Sequence, residues 1–191
     1  MGSEQLSMFD YKRSLKEEGF LLDVSMSPLK KTNGVIIVNC GDCDRSPELY
    51  KYQANLCRQA GREKGDERVH TITLNGGALL LHKHSPLNAN HDSSRTLLYH
   101  IKNTAPLKGI NDVALYMHYN CGAGEMARLT PEQYFEWLAK GADHLGSMIP
   151  SLNIACKFHY HVDNERTFKT YYFDHKSWLE SKFGYAKNAN A

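Results

Sequence analysis

The sequence predicts an α/β domain in which a central, mostly parallel sheet is flanked by helices. Short β-branched runs bounded by Gly and Asn alternate along the chain with longer segments of helical periodicity. Two of the runs are almost continuously apolar, which is the pattern of strands buried on both faces of a parallel sheet. A length of 191 residues and a hydrophobic fraction of 41% suffice for one buried core. We therefore expect a single domain over residues 1–191.

The composition excludes several classes of protein. With 23 Lys and Arg against 21 Asp and Glu and no basic block, the chain lacks the charge pattern of a nucleic-acid-binding protein. No apolar run approaches the roughly 20 residues needed to cross a bilayer, and no targeting pattern begins the chain. We therefore expect a cytoplasmic protein that binds neither nucleic acid nor membrane. Five cysteines without regular spacing indicate free or metal-bound thiols instead of a disulfide framework.

The first half of the chain predicts an N-terminal helical arm, two strands and a helix. Apolar and charged residues follow helical spacing from about Leu6 to Leu22, within an arm that covers residues 1–30. The β-branched run from Gly34 to Val38 predicts the first central strand. A Ser-Pro-Glu start, with Ser as the N-cap, predicts a helix from Ser46 to about Gln59. Alternating apolar residues from His70 to Leu74 predict the second strand.

The second half continues the alternation and closes with a hairpin. A polar loop follows the second strand, and a polar tail over residues 184–191 is expected to be disordered. Strands that alternate with helices imply parallel neighbours, and the final hairpin adds an antiparallel edge. The predicted elements are a helix from Ser94 to about Asn103, a buried strand from Asp112 to Met117, a helix from Thr130 to about Leu145, strands Asn153–Val162 and Thr167–Phe173 around an Asp163-Asn164 turn, and a helix from Ser177 to Phe183.

Two of the predicted strands end in side chains that bind metals. Cys40 closes the first strand, and the third strand runs into His118-Tyr-Asn-Cys121. Ligands gather at the carboxyl ends of strands in such sheets, so we expect the three side chains to converge. Thiolate and imidazole are ligands that borderline-soft Zn²⁺ accepts readily. The sequence therefore predicts one zinc ion bound by Cys40, His118 and Cys121.

These motifs resemble those of the β-class carbonic anhydrases. In that family one strand ends in C-x-D-x-R and a later strand ends in H-x-x-C-G, and the Cys, His and Cys bind zinc. The second motif is met by His118–Gly122. The first is met by Cys40 and Asp42, whereas Arg45 lies one residue late because one residue is inserted. The likeness covers about residues 34–173 and implies a β-carbonic anhydrase-like fold.

The resemblance also implies an activity and an assembly. The activity is that of a carbonate dehydratase, a zinc lyase: reversible hydration of carbon dioxide to bicarbonate by zinc-bound hydroxide, at a fourth position left open on the metal. Carbonyl sulfide and carbon disulfide are alternative small-molecule substrates. In the family the aspartate either pairs with the arginine or swings in as a fourth ligand, so Asp42 or Asp44 is expected to pair with Arg45. Exchange of the N-terminal arm implies a homodimer or a higher homo-oligomer.

Three alternatives compete with an open catalytic zinc. Cys40 and Cys43 form a C-x-x-C, so Cys43 as fourth ligand would give a closed, structural Cys₃His site. The same pair at the start of a helix is also the arrangement of a thiol-disulfide redox protein. The third alternative is a binding protein on the same fold whose zinc has no catalytic role.

The other histidines and cysteines have simpler explanations. The polar-loop histidines are expected to be solvated, with a second metal site as the alternative, and those of the fifth strand are expected to pack at the surface. Either group is also a candidate proton shuttle. The two remaining helix and strand cysteines are expected to be packing residues. These residues are His82, His84 and His91 in the loop, His159 and His161 on the strand, and Cys57 and Cys156.

Overall fold

The structure is a computed structural model that describes residues 6–30, 33–42, 45–88, 92–161 and 168–184. Within these residues, six strands form one mixed sheet and six α-helices surround it. The predicted Asp163-Asn164 turn, the residues from 185 onward, and His91 lie outside the described residues.

The elements alternate much as the sequence predicts. The strands are β1 (Leu21–Asp23), β2 (Val35–Cys40), β3 (Val69–Leu74), β4 (Asp112–His118), β5 (Asn153–His161) and β6 (Phe168–Phe173). The helices are α1 (Met8–Glu17), α2 (Ser46–Gln59), α3 (Ser93–Lys108), α4 (Gly122–Met126), α5 (Pro131–Met148) and α6 (His175–Phe183). Short 3₁₀ turns cover Val24–Met26, Gly77–Leu80 and Pro86–Asn88.

The sheet confirms the predicted α/β class with a mostly parallel centre. Its strand order is β1-β6-β5-β4-β2-β3. The inner pairs β2 with β3, β2 with β4, and β4 with β5 are parallel, while β6 pairs antiparallel with β5 and with β1. The carboxyl ends of β2 and β4 therefore lie side by side at one edge of the sheet.

The two faces of the sheet bury different sets of side chains. Apolar residues of α1, α3, α5 and α6 form the larger core with one face, and α2 covers the other face. Helix α5 begins with a capping box in which the Thr130 hydroxyl and the Gln133 side chain each bond the other residue's backbone N–H. Phe135 of this helix is fully buried and packs edge-on against Phe158 and Phe173. Aromatic packing of this kind joins α5 to the sheet.

The N-terminal arm differs from the continuous helix predicted from Leu6 to Leu22. Helix α1 ends at Glu17, because Gly19 adopts a left-handed conformation with φ +79°. The chain then pairs Leu21 with Phe173 as an extra antiparallel edge strand. Met8, Tyr11 and Leu15 of α1 are buried in the chain's own core.

Helices α2, α3 and α4 also differ from the prediction. Helix α3 continues past Asn103 to Lys108, because buried Thr104 and Ala105 still pack against the core and Pro106 lies in its last turn. Arg45, not Ser46, occupies the N-cap position of α2. The short helix α4 had no predicted counterpart. Among the described residues, no helix is both long and apolar enough to span a membrane.

Candidate metal centre

Cys40 is the last residue of β2, which lies between two parallel neighbours. The backbone N–H of Gly76, in the turn after β3, donates to the Cys40 Sγ at 3.4 Å. The next residue, Gly77, has φ +51°, and a Cβ built there would lie 2.4 Å from the Cys40 backbone nitrogen. Only glycine allows the turn to approach the end of β2 so closely. This contact fixes the position of the Cys40 thiol.

His118 and Cys121 are positioned by the end of β4 and the turn that follows it. Asn120 adopts a left-handed conformation with φ +57°, which turns the chain back so that Cys121 becomes the N-cap residue of α4. The Tyr134 hydroxyl of α5 donates to the Cys121 carbonyl at 3.2 Å. Gly124 makes room for that hydroxyl, since a Cβ there would lie 2.2 Å from the Tyr134 oxygen. Helix α5 therefore holds the turn that carries Cys121.

The structure brings the three predicted ligands together. Their ligand atoms all lie within 4.8 Å of one another, and all three residues are buried. The two thiols are not bridged, because the Cys40 and Cys121 sulfurs are 3.8 Å apart. Two thiolates bound to a tetrahedral zinc at about 2.3 Å would be about 3.8 Å apart. The observed separation therefore fits one zinc ion between them.

The His118 ring is oriented for binding through one nitrogen. Its Nδ1 lies 3.0 Å from the Tyr119 carbonyl oxygen, so Nδ1 carries the proton and donates it there. Its Nε2 is buried without a hydrogen-bond partner among the described residues. A buried nitrogen acceptor without a partner is costly unless an ion or another donor fills the site. A carbonyl that fixes the tautomer in this way is a common outer-shell feature of zinc-bound histidine.

The two thiols share a proton unequally. The hydrogen bond from Cys121, helped by the nearby His118 and the backbone N–H groups of Gly76 and Asp42, lowers the pKa of Cys40 well below the usual range of a thiol, against the opposing effect of burial. The same hydrogen bond and burial raise the pKa of Cys121. The centre therefore stabilises one thiolate even without a metal. A thiolate is the form that binds zinc.

The predicted Asp42 and Arg45 lie at the start of α2. The Asp42 carboxylate accepts the backbone N–H of Arg45 at 3.1 Å, and no carboxylate of the described residues joins the cluster of three ligands. The Arg45 guanidinium lies 3.9 Å from the Glu48 carboxylate. Cys43 and Asp44 lie outside the described residues. Pairing of Arg45 with Asp42 or Asp44, and a fourth ligand from Cys43 or Asp42, remain predictions.

Sequence reasoning placed His159 at the surface, and this is wrong. His159 is fully buried because Glu48 of α2 and the Phe168 and Thr170 side chains of β6 pack around its ring. Its Nδ1 lies 2.9 Å from the Thr170 hydroxyl, and its Nε2 lies 3.5 Å from the Glu48 carboxylate. It is also the direct register neighbour of His118 on the adjacent strand. Glu48 thus lies near both Arg45 and His159, a link that the sequence spacing did not reveal.

A buried polar network on the same face was also not predicted. Lys157 is fully buried, and its Nζ donates to the Gln53 side-chain oxygen at 3.0 Å. The Tyr116 hydroxyl donates to the same oxygen at 2.9 Å. Three residues far apart in sequence meet here, so no local pattern could have indicated the network.

The other predicted residues lie apart from the cluster. Cys57 and Cys156 are fully buried in the core, as predicted for packing residues. His82 is half-buried, and its ring packs against those of Trp137 and His144 of α5, whereas His84 is exposed and its ring lies beside that of His82.

Comparisons with known proteins find a similarity in structure. No protein-family model matches the chain, and no curated protein matches its sequence. The structure is similar to the crystal structure of a β-carbonic anhydrase, isoform I, from the protozoan Trichomonas vaginalis. The alignment covers 88% of this chain and 100% of that chain, with 14% identity and a TM-score of 0.37. Evidence for the function of this chain comes from the cluster of Cys40, His118 and Cys121.

Proposed function

We propose that this protein is a zinc-dependent, carbonic anhydrase-like enzyme that reversibly hydrates carbon dioxide to bicarbonate. The observation that carries the proposal is the buried cluster of two thiols and one imidazole at the carboxyl ends of β2 and β4. Three protein ligands of this kind are typical of catalytic zinc, which keeps its fourth position for water or substrate. When bound, zinc acts as a Lewis acid that lowers the pKa of water to about 7.

The residues of the chain have separate tasks in this proposal. Cys40, His118 and Cys121 would hold the ion. The Tyr119 carbonyl keeps the His118 proton on Nδ1, so that Nε2 is free to bind. The Tyr134 hydroxyl holds the turn at Cys121. Burial of all three ligands keeps bulk water from competing for them.

Asp42 and Arg45 are the proposed residues beside the open position. Support for this comes from their place at the start of α2, directly after the strand that ends in Cys40. The Asp42 carboxylate is held by the Arg45 backbone N–H. In this proposal the Asp42 carboxylate accepts a hydrogen bond from an O–H group of water or of the substrate. The Arg45 guanidinium keeps this carboxylate from binding the metal. Asp44 is the alternative partner for Arg45.

Metal content and carbon dioxide hydration, measured together, test the proposal. We expect one zinc per chain and a stopped-flow hydration rate above the buffer rate. Both should be lost in Cys121→Ser, whereas Cys57→Ala, which removes a buried thiol of the core, should keep zinc and activity. A wild-type protein without stoichiometric metal would contradict the zinc site. Stoichiometric zinc without hydration would instead support a structural zinc.

Cys43→Ser separates the open site from the closed alternative. With an open site, the variant keeps its zinc and its activity, because three ligands remain. With a closed Cys₃His site, the variant loses zinc affinity by about 10-fold or more. A thiol-disulfide protein would behave differently from both, since its free thiols would change with reductant and not with a chelator.

We also propose that the chain forms a homodimer or a larger homo-oligomer. The resemblance noted from the sequence supports this, and so do the exposed apolar side chains of the N-terminal arm, Leu6 and Phe9, which are 57% and 51% exposed. Sedimentation equilibrium at micromolar concentration tests it. A single species with the mass of one chain would contradict the proposal, and Phe9→Ser is expected to weaken the assembly.

A further inference from the structure

A cavity of about 380 Å³ lies between the first half of α3 and the last turns of α5. It is lined by none of the three proposed zinc ligands. Its volume falls within the range of about 300–1,000 Å³ that is usual for small-molecule sites. The cavity therefore has the size for an organic ligand and no role in the proposed hydration of carbon dioxide.

The lining of the cavity includes several basic side chains. Lys83, Arg95 and Lys102 line it, together with His144. Asp92 is the one acidic residue among the lining residues, and its carboxylate accepts the backbone N–H of Arg95 at 3.1 Å as the N-cap of α3. The formal charges on the lining therefore favour an anion.

The neighbouring His82 lies beside several basic side chains. Its pKa is lowered first by burial and then by His144, His84, Lys140 and Lys83. Two of these basic residues, Lys83 and His144, are also lining residues of the cavity.

The lining of the cavity also includes apolar side chains. These are Leu98, Met148 and Ile149, together with the Tyr99 ring, which is 65% exposed. Met148 is 58% exposed. A hydrophobic body bound there would cover these side chains and gain free energy from their burial.

We propose that this cavity binds a small amphipathic organic anion. A planar carboxylate would lie against the Arg95 guanidinium, which presents paired N–H donors to such a group, and Lys102 would add a second positive charge. The aromatic or branched apolar body of the ligand would pack on Leu98 and Ile149. This binding does not depend on the zinc site or on the proposed enzymatic activity.

The nearby histidines offer a metal site as the competing explanation, and two observations disfavour it. The His82 ring centre lies 5.5 Å from that of His84 and 5.9 Å from that of His144. Among the residues that the structure describes, however, only Cys40, His118 and Cys121 bring three ligand atoms within 4.8 Å of one another. The ammonium groups of Lys83 and Lys140 near His82 also repel a cation. The same charges attract an anion.

Isothermal titration calorimetry with 2-naphthoate, on the full chain, tests the proposal. We expect saturable binding of one molecule per chain, and binding of the uncharged 2-naphthamide that is at least about 10-fold weaker. Arg95→Gln and Lys102→Gln should each weaken 2-naphthoate by about 10-fold. Lys108→Gln is the matched control, because it removes the same charge from the same helix without touching the cavity.

Several outcomes would overturn the proposal. One is the absence of saturable binding up to 10 mM 2-naphthoate, because the binding free energy would then be weaker than about −3 kcal/mol. Equal affinity for 2-naphthamide would show that the negative charge of the ligand does not contribute to binding. Binding of inorganic phosphate as tight as that of 2-naphthoate would show that the apolar lining residues do not contribute. A loss in Lys108→Gln equal to that in Arg95→Gln would point to net charge alone. Methyl NMR locates the ligand: the Met148 resonance, assigned with Met148→Leu, must shift on binding.

Discussion

Gly77→Ala should disturb the metal centre through the backbone of β2. The new Cβ would lie 2.4 Å from the Asn39 carbonyl carbon and from the Cys40 nitrogen, both of which are backbone atoms that cannot rotate away. Ordinary contact begins at about 3.4 Å, so the end of β2 must move by about 1 Å. Zinc ligation tolerates roughly 0.2 Å in its ligand distances. We therefore expect zinc affinity to fall by at least about 10-fold.

The same substitution also lowers the free energy of unfolding through its backbone conformation, and a control substitution measures this effect separately. Gly77 and Gly109 both have positive φ, +51° and +61°, and a Cβ at Gly109 meets nothing within 4 Å. Left-handed backbone costs alanine about 1–2 kcal/mol at either position. Overpacking adds about 1–3 kcal/mol at Gly77 only.

Urea denaturation and zinc competition with a chromophoric chelator measure the two effects. We expect Gly109→Ala to lose about 1–2 kcal/mol of unfolding free energy and to keep its zinc affinity. Gly77→Ala should lose more unfolding free energy than Gly109→Ala and should also lose zinc affinity. Wild-type zinc affinity in Gly77→Ala, or an equal loss of affinity in Gly109→Ala, would refute the reasoning that the close approach of this turn positions Cys40.

The remaining predictions concern stability and the support of the site. Burial lowers the pKa of His175 from 6.5 to about 4 in the folded chain. As the pH falls below 6.5, the unfolded chain therefore binds a proton at this residue before the folded chain does. The free energy of unfolding should be highest above pH 6.5 and decrease by up to about 3 kcal/mol toward pH 4. His175→Gln should flatten that slope in denaturation curves, and an unchanged slope would contradict the assignment. Phe135→Ala should cost about 3–5 kcal/mol, because a fully buried ring is removed, and a loss below about 1 kcal/mol would show that the core closes around the gap. Tyr134→Phe removes the hydrogen bond to the Cys121 carbonyl and should cost about 1 kcal/mol and lower zinc affinity, whereas an unchanged affinity would mean that the bond does not position the ligand.

Some features of the fold followed from local sequence patterns. The continuous apolar runs indicated β2 and β4 because strands buried on both faces need no polar alternation. The start of α5 followed from the Thr130 cap and the proline after it. The strand β1 was missed because three residues, Leu21–Asp23, carry no pattern of their own, and only their pairing with β6 makes them a strand.

The candidate site shows the same division. Cys40, His118 and Cys121 were predicted together because two of them follow strands whose carboxyl ends meet in a parallel sheet. The burial of His159 and its contact with Glu48 were not predicted, because they depend on how α2 packs on this face of the sheet and on the neighbouring side chains of β6. A histidine on a strand looks the same in sequence whether that face is covered or open.

The sequence by itself determined most of the helices and strands and which side chains lie at the strand ends, because hydrophobic period and turn residues are local properties of the chain. The tertiary structure decided the distances: the 3.8 Å between the two sulfurs, the close approach of Gly77 to β2, and the meeting of cationic and apolar side chains in the cavity between α3 and α5. These depend on packing between segments that are distant in sequence, and such packing leaves no periodic pattern in the chain.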